Sequence, residues 1–123
     1  MPLKGSCHCG ATQFEVPSAP ASVTSCNCSF CAKRGALHAY YPVAQFKLLT
    51  ARDRVSTYQW GHYVGQHHHC GICGCGTYSE FPSFDTGEPD YDNMRVSVNA
   101  RLFGDEIDLA AIPIEYVNGK TDW

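Results

Sequence analysis

The sequence predicts a compact, mainly β protein with very little helix, and three observations lead to this prediction. The chain has 123 residues, the length of a single domain (1–123) with a modest hydrophobic core. Short segments in which apolar and polar residues alternate recur along it, separated by turn-forming residues. Eight cysteines fall into tight groups, a pattern typical of a small fold that bound zinc stabilises.

Six segments have the alternation or the composition of β-strands. Residues 11–16 alternate apolar and polar side chains until Pro17 ends the pattern, and residues 94–99 repeat it further along. The other four are Leu37–Val43, Phe46–Leu49, Val55–Trp60 and Thr77–Phe81. Five aromatic residues either line a pocket or fill the core, and the core is the favoured interpretation because aromatic residues dominate small β cores: Tyr40, Tyr41, Tyr58, Trp60 and Tyr63.

Helix is expected in two short segments. Residues 29–34 predict one turn that ends at Gly35, and residues 105–111 predict another before Pro113. The stretch from Pro82 to Asp92 contains Pro, Gly, Asp and Ser in the proportions of a loop. We therefore expect it to be a mobile surface loop.

Charge and hydropathy exclude several classes of function. The formal net charge is −3 and Lys and Arg are scattered, so the sequence argues against a nucleic-acid partner. No apolar run approaches the roughly 18 residues of a membrane span, so no membrane association is expected. Residues 1–7 contain no apolar core of a signal peptide, and the expected location is the cytoplasm.

The spacing of the cysteines favours metal binding over disulfides. They occur as Cys7-x-Cys9, Cys26-x-Cys28-x-x-Cys31 and Cys70-x-x-Cys73-x-Cys75. Sulfurs separated by one or two residues can turn toward one point about 2.3 Å away, the zinc–sulfur distance. Cysteine-rich chains in the cytosol bind metal or act in catalysis more often than they form disulfides. Zinc is favoured over iron for a combination of structural and open thiolate sites.

A structural zinc site is predicted from two distant pairs. A closed tetrahedral site takes four protein ligands, commonly as two pairs that the fold brings together. Cys7 with Cys9, and Cys70 with Cys73, are two such pairs. Glycines 71, 74 and 76 flank the second pair, as a tight metal-binding turn requires.

The middle group predicts a second and different zinc site. Cys26, Cys28 and Cys31 supply three thiolates from one local segment, which leaves a fourth position for water or a thiol substrate. Such a site has the composition of a catalytic zinc. The alternative is that Cys75 or one of residues His67 to His69 closes it. Cys75 can equally be an inert buried thiol.

Together these motifs resemble a known family. The segments Gly5–Ala11, Cys26–Cys31 and Cys70–Gly74 resemble the three signatures of the glutathione-dependent formaldehyde-activating enzyme and centromere protein V family. The closing segment is similar as well, with residues 98–102, Asp108-Leu109 and 118–123. Two features depart from the family pattern: Cys75 stands where Thr is usual, and the run His67 to His69 replaces an aromatic residue.

The resemblance implies a fold, two cofactor sites and a reaction. It implies an Mss-four-like β architecture with two zinc ions per chain and carbon–sulfur bond chemistry on glutathione adducts. Carried over by motif, the first and third signatures provide the structural zinc ligands Cys7, Cys9, Cys70 and Cys73. The second signature provides the catalytic zinc ligands Cys26, Cys28 and Cys31. The implied partners are a small thiol such as glutathione and an aldehyde such as formaldehyde, or their adduct.

The histidines and cations near these motifs have two interpretations each. On a strand, His67 and His69 would share one face and His68 the other, and one imidazole can carry a proton. A purely structural polar strand is the favoured interpretation. Lys33 and Arg34 either attract the carboxylates of a thiol substrate or form a solvated helix turn.

The sequence therefore supports one main hypothesis and two rivals. The main hypothesis is a zinc-dependent carbon–sulfur lyase or synthase in which a thiolate binds the open three-cysteine zinc. The alternative is a non-catalytic, zinc-stabilised binding module with both sites closed by protein ligands. A third possibility is a redox sensor whose cysteines release zinc on oxidation.

Overall fold

The computed structural model describes residues 2–61 and 63–119. The described part contains ten strands: β1 (Leu3–Ser6), β2 (Gln13–Val16), β3 (Val23–Cys26), β4 (His38–Pro42), β5 (Lys47–Leu48), β6 (Val55–Tyr58), β7 (Gln66–Cys70), β8 (Gly76–Ser83), β9 (Asp90–Asn99) and β10 (Ile114–Val117). Its one α-helix is α1 (Ser29–Arg34), and four 3-10 segments cover Val43–Gln45, Arg52–Arg54, Ala100–Glu106 and Leu109–Ala111. The fold is thus mainly β with little α-helix, as predicted.

Two sheets enclose the core. The small sheet has the order β1-β2-β5, and the large seven-stranded sheet has the order β10-β3-β4-β9-β8-β7-β6. Strand β10 runs parallel to β3, while the other neighbours are antiparallel. Phe14 of the small sheet is completely buried and contacts the rings of Phe46 and Phe103. On the inner face of the large sheet, Tyr78 and Val98 pair across β8 and β9 within the same core.

The outer face of the large sheet is polar. Four residues lie opposite one another across neighbouring strands and so share this face: Tyr40, Ser97, Ser79 and His67. Helix α1 lies over it, since the ring of Phe30 lies 4.5 Å from the ring of His67. This face differs from the inner one, where apolar residues pack in the core.

Most predicted elements are confirmed, and α1 has the predicted limits. The helical turn predicted at residues 105–111 forms only in part, as the 3-10 segment Leu109–Ala111, because the backbone is extended at Ile107. The loop predicted from Pro82 to Asp92 is confirmed for residues 84–89, and its two ends belong to β8 and β9. Strand β8 continues to Ser83 and the pairing register shifts after Pro82, which has no N–H to donate.

Three short strands and the positions of several aromatic residues differ from the prediction. The short strands β1, β3 and β10 were not predicted, because four residues carry too little alternation to recognise. Of the five aromatic residues expected in the core, only Tyr41 is buried; Tyr40, Tyr58, Trp60 and Tyr63 are 44%, 52%, 37% and 65% exposed. The last residues of the closing segment, 120–123, lie outside the described residues. Within the described chain, no helix is long and apolar enough to cross a bilayer.

Gly5 lies in the core at a position with no room for a side chain. It pairs with Phe14 across β1 and β2, and a Cβ at position 5 would overlap the Phe14 ring. Because Phe14 is enclosed and cannot move aside, Gly5→Ala is expected to reduce the free energy of unfolding by about 1–3 kcal/mol. Denaturant unfolding of the metal-loaded protein measures this. Lys4→Ala, an exposed change on the same strand, is the matched control and should stay within about 0.5 kcal/mol.

Candidate metal centres and the adjoining groove

Four cysteines from two hairpin turns meet at one point. Cys7 and Cys9 lie in the turn between β1 and β2, Cys70 ends β7, and Cys73 lies in the turn before β8. Their four Sγ atoms all lie within 4.8 Å of one another. The Cys7–Cys9 and Cys9–Cys70 sulfur separations are 3.7 and 3.6 Å. A tetrahedral zinc with bonds of about 2.3 Å places its sulfurs about 3.8 Å apart, so this cluster can hold a metal ion of that kind.

Backbone N–H groups point at these sulfurs. The N–H of Thr12 donates to Cys7 Sγ at 3.3 Å, and those of Ile72 and Cys73 donate to Cys70 Sγ at 3.4 and 3.5 Å. A hydrogen bond from the backbone N–H of Cys75 is the main reason that the pKa of Cys73 falls to about 5. These donors favour thiolates, the form in which cysteine binds metal.

The turn that carries Cys73 depends on glycine. Gly74 has a φ of +81°, in the region that side chains other than that of glycine rarely adopt. Its N–H donates to the carbonyl of Cys70 and closes the turn. The tight turn predicted from the flanking glycines is therefore present at this position.

Cys75 belongs to neither group of converging sulfurs. All eight cysteines are free. The Cys75 thiol accepts a hydrogen bond from the backbone N–H of His8 and interacts with Cys73. It therefore lies beside the four-cysteine cluster, although it is not one of the four sulfurs that converge there. This position removes it from the three-cysteine cluster, which it was considered able to close.

The second cluster is built around the start of α1. Cys26 ends β3, Cys28 is the N-cap of α1, and Cys31 lies in its first turn. The N–H of Cys28 donates to Cys26 Sγ at 3.4 Å, and that of Cys31 donates to Cys28 Sγ at 3.3 Å. The three sulfurs lie within 4.8 Å of one another and can hold a metal ion. Among the described residues, no further His, Cys, Asp or Glu ligand atom completes this group.

His38 lies against this cluster and was not recognised from the sequence. Its Nε2 lies 3.6 Å from Cys31 Sγ, and its Nδ1 lies 3.4 Å from the hydroxyl of Ser97. Burial, followed by the nearby charge of Arg34, lowers the His38 pKa to about 4 and keeps the ring neutral. With Ser97 donating to Nδ1, the Nε2–H of a neutral ring donates to the Cys31 sulfur. His38 belongs to no sequence motif. The pairing of β4 with β9 brings it close to Ser97.

The three consecutive histidines have different environments. His68 is buried, and its ring nitrogens bond to the hydroxyl of Thr57 and to Glu80, both at 2.8 Å. The hydrogen bond from His68 is the main reason that the Glu80 pKa falls to about 2. His67 faces the opposite side and bonds to the hydroxyl of Ser79 at 2.9 Å. The strand alternation is confirmed for these two, while the pairing register shifts between His68 and His69. His68 is structural, and His67 faces α1.

A groove runs along the side of α1 next to the three-cysteine cluster. Two adjoining cavities of about 430 Å³ share Phe30, Arg34 and Tyr58 in their walls. Trp60 lines one of them and His67 the other. We call this space the α1 groove, defined by these five residues.

Arg34 holds the floor of the α1 groove in place. It donates to the carbonyl of His68 at 2.6 Å and to the hydroxyl of Ser79 at 3.3 Å. A Cβ at Gly76 would collide with its guanidinium, so glycine there leaves room for the arginine. The interpretation of residues 33 and 34 as a solvated turn is therefore wrong for Arg34, whereas Lys33 is exposed at the rim.

Comparison with known proteins agrees with this geometry. The family model described as glutathione-dependent formaldehyde-activating enzyme matches residues 2–100, which include all seven cysteines of the two clusters. The chain is also similar to a crystal structure of a Rhodobacter sphaeroides protein, with 27% identity and a TM-score of 0.72. That alignment covers 92% of this chain and all of the other. The chain belongs to the glutathione-dependent formaldehyde-activating enzyme family.

Proposed function

We propose that this protein is a zinc-dependent carbon–sulfur lyase or synthase that forms and splits adducts of glutathione, or a similar thiol, with an aldehyde. The observation that carries this proposal is the three-cysteine cluster, which has no fourth described ligand and lies beside a groove. We place the reaction in the cytoplasm, where free thiols stay reduced.

The two clusters have separate tasks in this proposal. Cys7, Cys9, Cys70 and Cys73 hold a structural zinc that joins the turn of the small sheet to the β7–β8 turn of the large one. Cys26, Cys28 and Cys31 hold the second zinc at the start of α1. That ion, when bound, supplies an open position at which an incoming thiol ionises near neutral pH.

The reaction balances with a single proton transfer. A carbon–sulfur bond forms between the thiol sulfur and the carbonyl carbon, while the thiol proton ends on the carbonyl oxygen; the reverse step splits the adduct. His67 is the candidate proton carrier, because it lines the α1 groove. Burial, then the charge of Arg34, lowers its pKa to about 4, so the ring stays neutral at pH 7 and one ring nitrogen keeps an N–H that can donate to the carbonyl oxygen.

The residues around α1 orient the thiol. Lys33 and Arg34 lie in the last turn of α1 and line the groove. Their positive charges suit the two carboxylates of glutathione. Hydrogen bonds from Arg34 to His68 and Ser79 keep its side chain in one position before the substrate arrives.

An exchange measurement tests the proposal. A thiol of pKa about 8.5 is only a few per cent ionised at pH 7, so complete ionisation raises the reactive fraction roughly 30-fold. We expect the zinc-loaded protein to accelerate formation of the glutathione–formaldehyde adduct by about 10-fold or more in NMR exchange spectra. Removal of zinc by a chelator should abolish the effect. If loaded protein leaves the exchange rate unchanged for formaldehyde and larger aldehydes, the non-catalytic binding module replaces this proposal.

A further inference from the structure

Four side-chain rings form a contiguous cluster at the α1 groove. The Phe30 ring lies 5.7 Å from that of Tyr58, 6.1 Å from that of Trp60 and 4.5 Å from that of His67. Tyr58 and Trp60 nevertheless remain 52% and 37% exposed. Aromatic residues that contact one another but leave their faces open to solvent mark a binding surface.

We propose that the α1 groove binds an aromatic group on the aldehyde-derived carbon, so that the preferred substrate is a thiol adduct of an aryl-substituted aldehyde. This inference rests on the proposed function and names its substrate class. A formaldehyde adduct carries only a hydroxymethyl group on sulfur, which cannot fill this space.

Helix α1 connects the groove to the reacting sulfur. Cys28 and Cys31 are three residues apart and hold the cluster, while Phe30 and Arg34 are four apart and face the groove. The two pairs therefore occupy neighbouring faces of one short helix. The cluster and the groove thus share one short helix, and Ser29, the residue after Cys28, lines the groove, as a thiol bound at the cluster with its substituent in the groove requires.

The size and the composition of the groove fit such a substituent. Each of its cavities has a volume of about 430 Å³, within the range of small-molecule sites. Its walls are rings, which suit an aryl group through stacking and edge contacts. A hydroxymethyl group offers almost no apolar area to these walls.

The charge at the groove favours an anionic ligand. Arg34 is half-buried among the rings of the groove, and its guanidinium lies over the Phe30 ring. No described Asp or Glu makes an ion pair with it. Exposed Lys33 adds a second cation at the rim. A ligand with carboxylates and one aromatic ring complements this arrangement, as an aryl adduct of glutathione does.

Calorimetric binding to the zinc-loaded protein tests the inference with three probes: glutathione, S-methylglutathione and S-benzylglutathione. The last two differ only in the ring. We expect the benzyl compound to bind about 10-fold more tightly than the methyl compound, because the ring buries apolar area in the groove. Trp60→Ala should remove most of this difference. Tyr116→Ala, which truncates an aromatic residue that is 79% exposed on β10, should leave it unchanged.

The outcomes distinguish failure of this inference from failure of the proposed function. If glutathione binds but the methyl and benzyl compounds bind equally, the inference is overturned and the proposed function stands. A benzyl preference that survives both Trp60→Ala and Tyr58→Ala also overturns it, since the ring then binds elsewhere. If glutathione does not bind and exchange is not accelerated, the proposed function itself fails. Circular dichroism of each variant confirms the fold, and Tyr58→Ala replaces Trp60→Ala if the latter unfolds.

Discussion

Cys70→Ser is expected to remove the metal from the four-cysteine cluster and to unfold the domain. Cys70 is completely buried at the end of β7, and its sulfur lies 3.6 Å from that of Cys9 across the two sheets. Structural zinc sites contribute apparent binding free energies of about 10–16 kcal/mol in zinc-finger peptides at pH 7. Native domains are stable by only about 5–15 kcal/mol in total. The free energy lost with this ion is therefore as large as the whole free energy of unfolding, or larger.

Metal analysis and circular dichroism under reducing conditions measure this effect. The wild type should hold about two zinc ions per chain and show a β spectrum, whereas Cys70→Ser should lose the spectrum together with the metal. Cys75→Ser is the matched control, because the same change is made five residues away at a sulfur outside the converging four. It should keep both ions. A folded Cys70→Ser protein with two zinc ions, or a Cys75→Ser protein with fewer than two, would show that the ligand set is assigned wrongly.

The cysteine clusters were predictable because their chemistry is local. Cys26, Cys28 and Cys31 lie within six residues, so any backbone that turns there brings the three sulfurs together. The four-cysteine cluster needed one further step, the pairing of two turns, which the ligand number of zinc suggests. Helix α1 was equally predictable, since Cys28 caps its start and Gly35, with φ of +70°, ends it.

The contacts around the three-cysteine cluster were not predictable, because they join residues of separate elements. His38 reaches Cys31, and Arg34 reaches Ser79, only because helix α1 lies over the outer face of the large sheet. Neither contact leaves a pattern in the sequence. The aromatic residues misled for a related reason. Tyr58 and Trp60 are residue types common in protein cores. They are exposed here because they pack against Phe30 at the α1 groove.

Cys28→Ser is expected to separate catalysis from folding. Serine is a good N-cap, and its hydroxyl can accept the N–H of Cys31 as the Cys28 sulfur does at 3.3 Å. Helix α1 should therefore still begin at Ser29. Two thiolates remain at the cluster, and a zinc site with two protein ligands is far weaker than one with three. The variant should fold with one zinc ion, and its acceleration of thiol–aldehyde exchange should fall about 10-fold or more, to the uncatalysed rate.

Metal content, circular dichroism and exchange rate are measured together on Cys28→Ser and on the Cys75→Ser control. One zinc with an intact fold and no acceleration locates the reaction at the Cys26, Cys28 and Cys31 cluster. Full acceleration with one zinc would move the reaction away from this cluster. Retention of two ions would mean that a protein ligand closes the second site, as the binding-module alternative requires. Loss of the fold would mean that both clusters are structural. The serine hydroxyl preserves the helix cap, so the unfolding would have to come from loss of the metal.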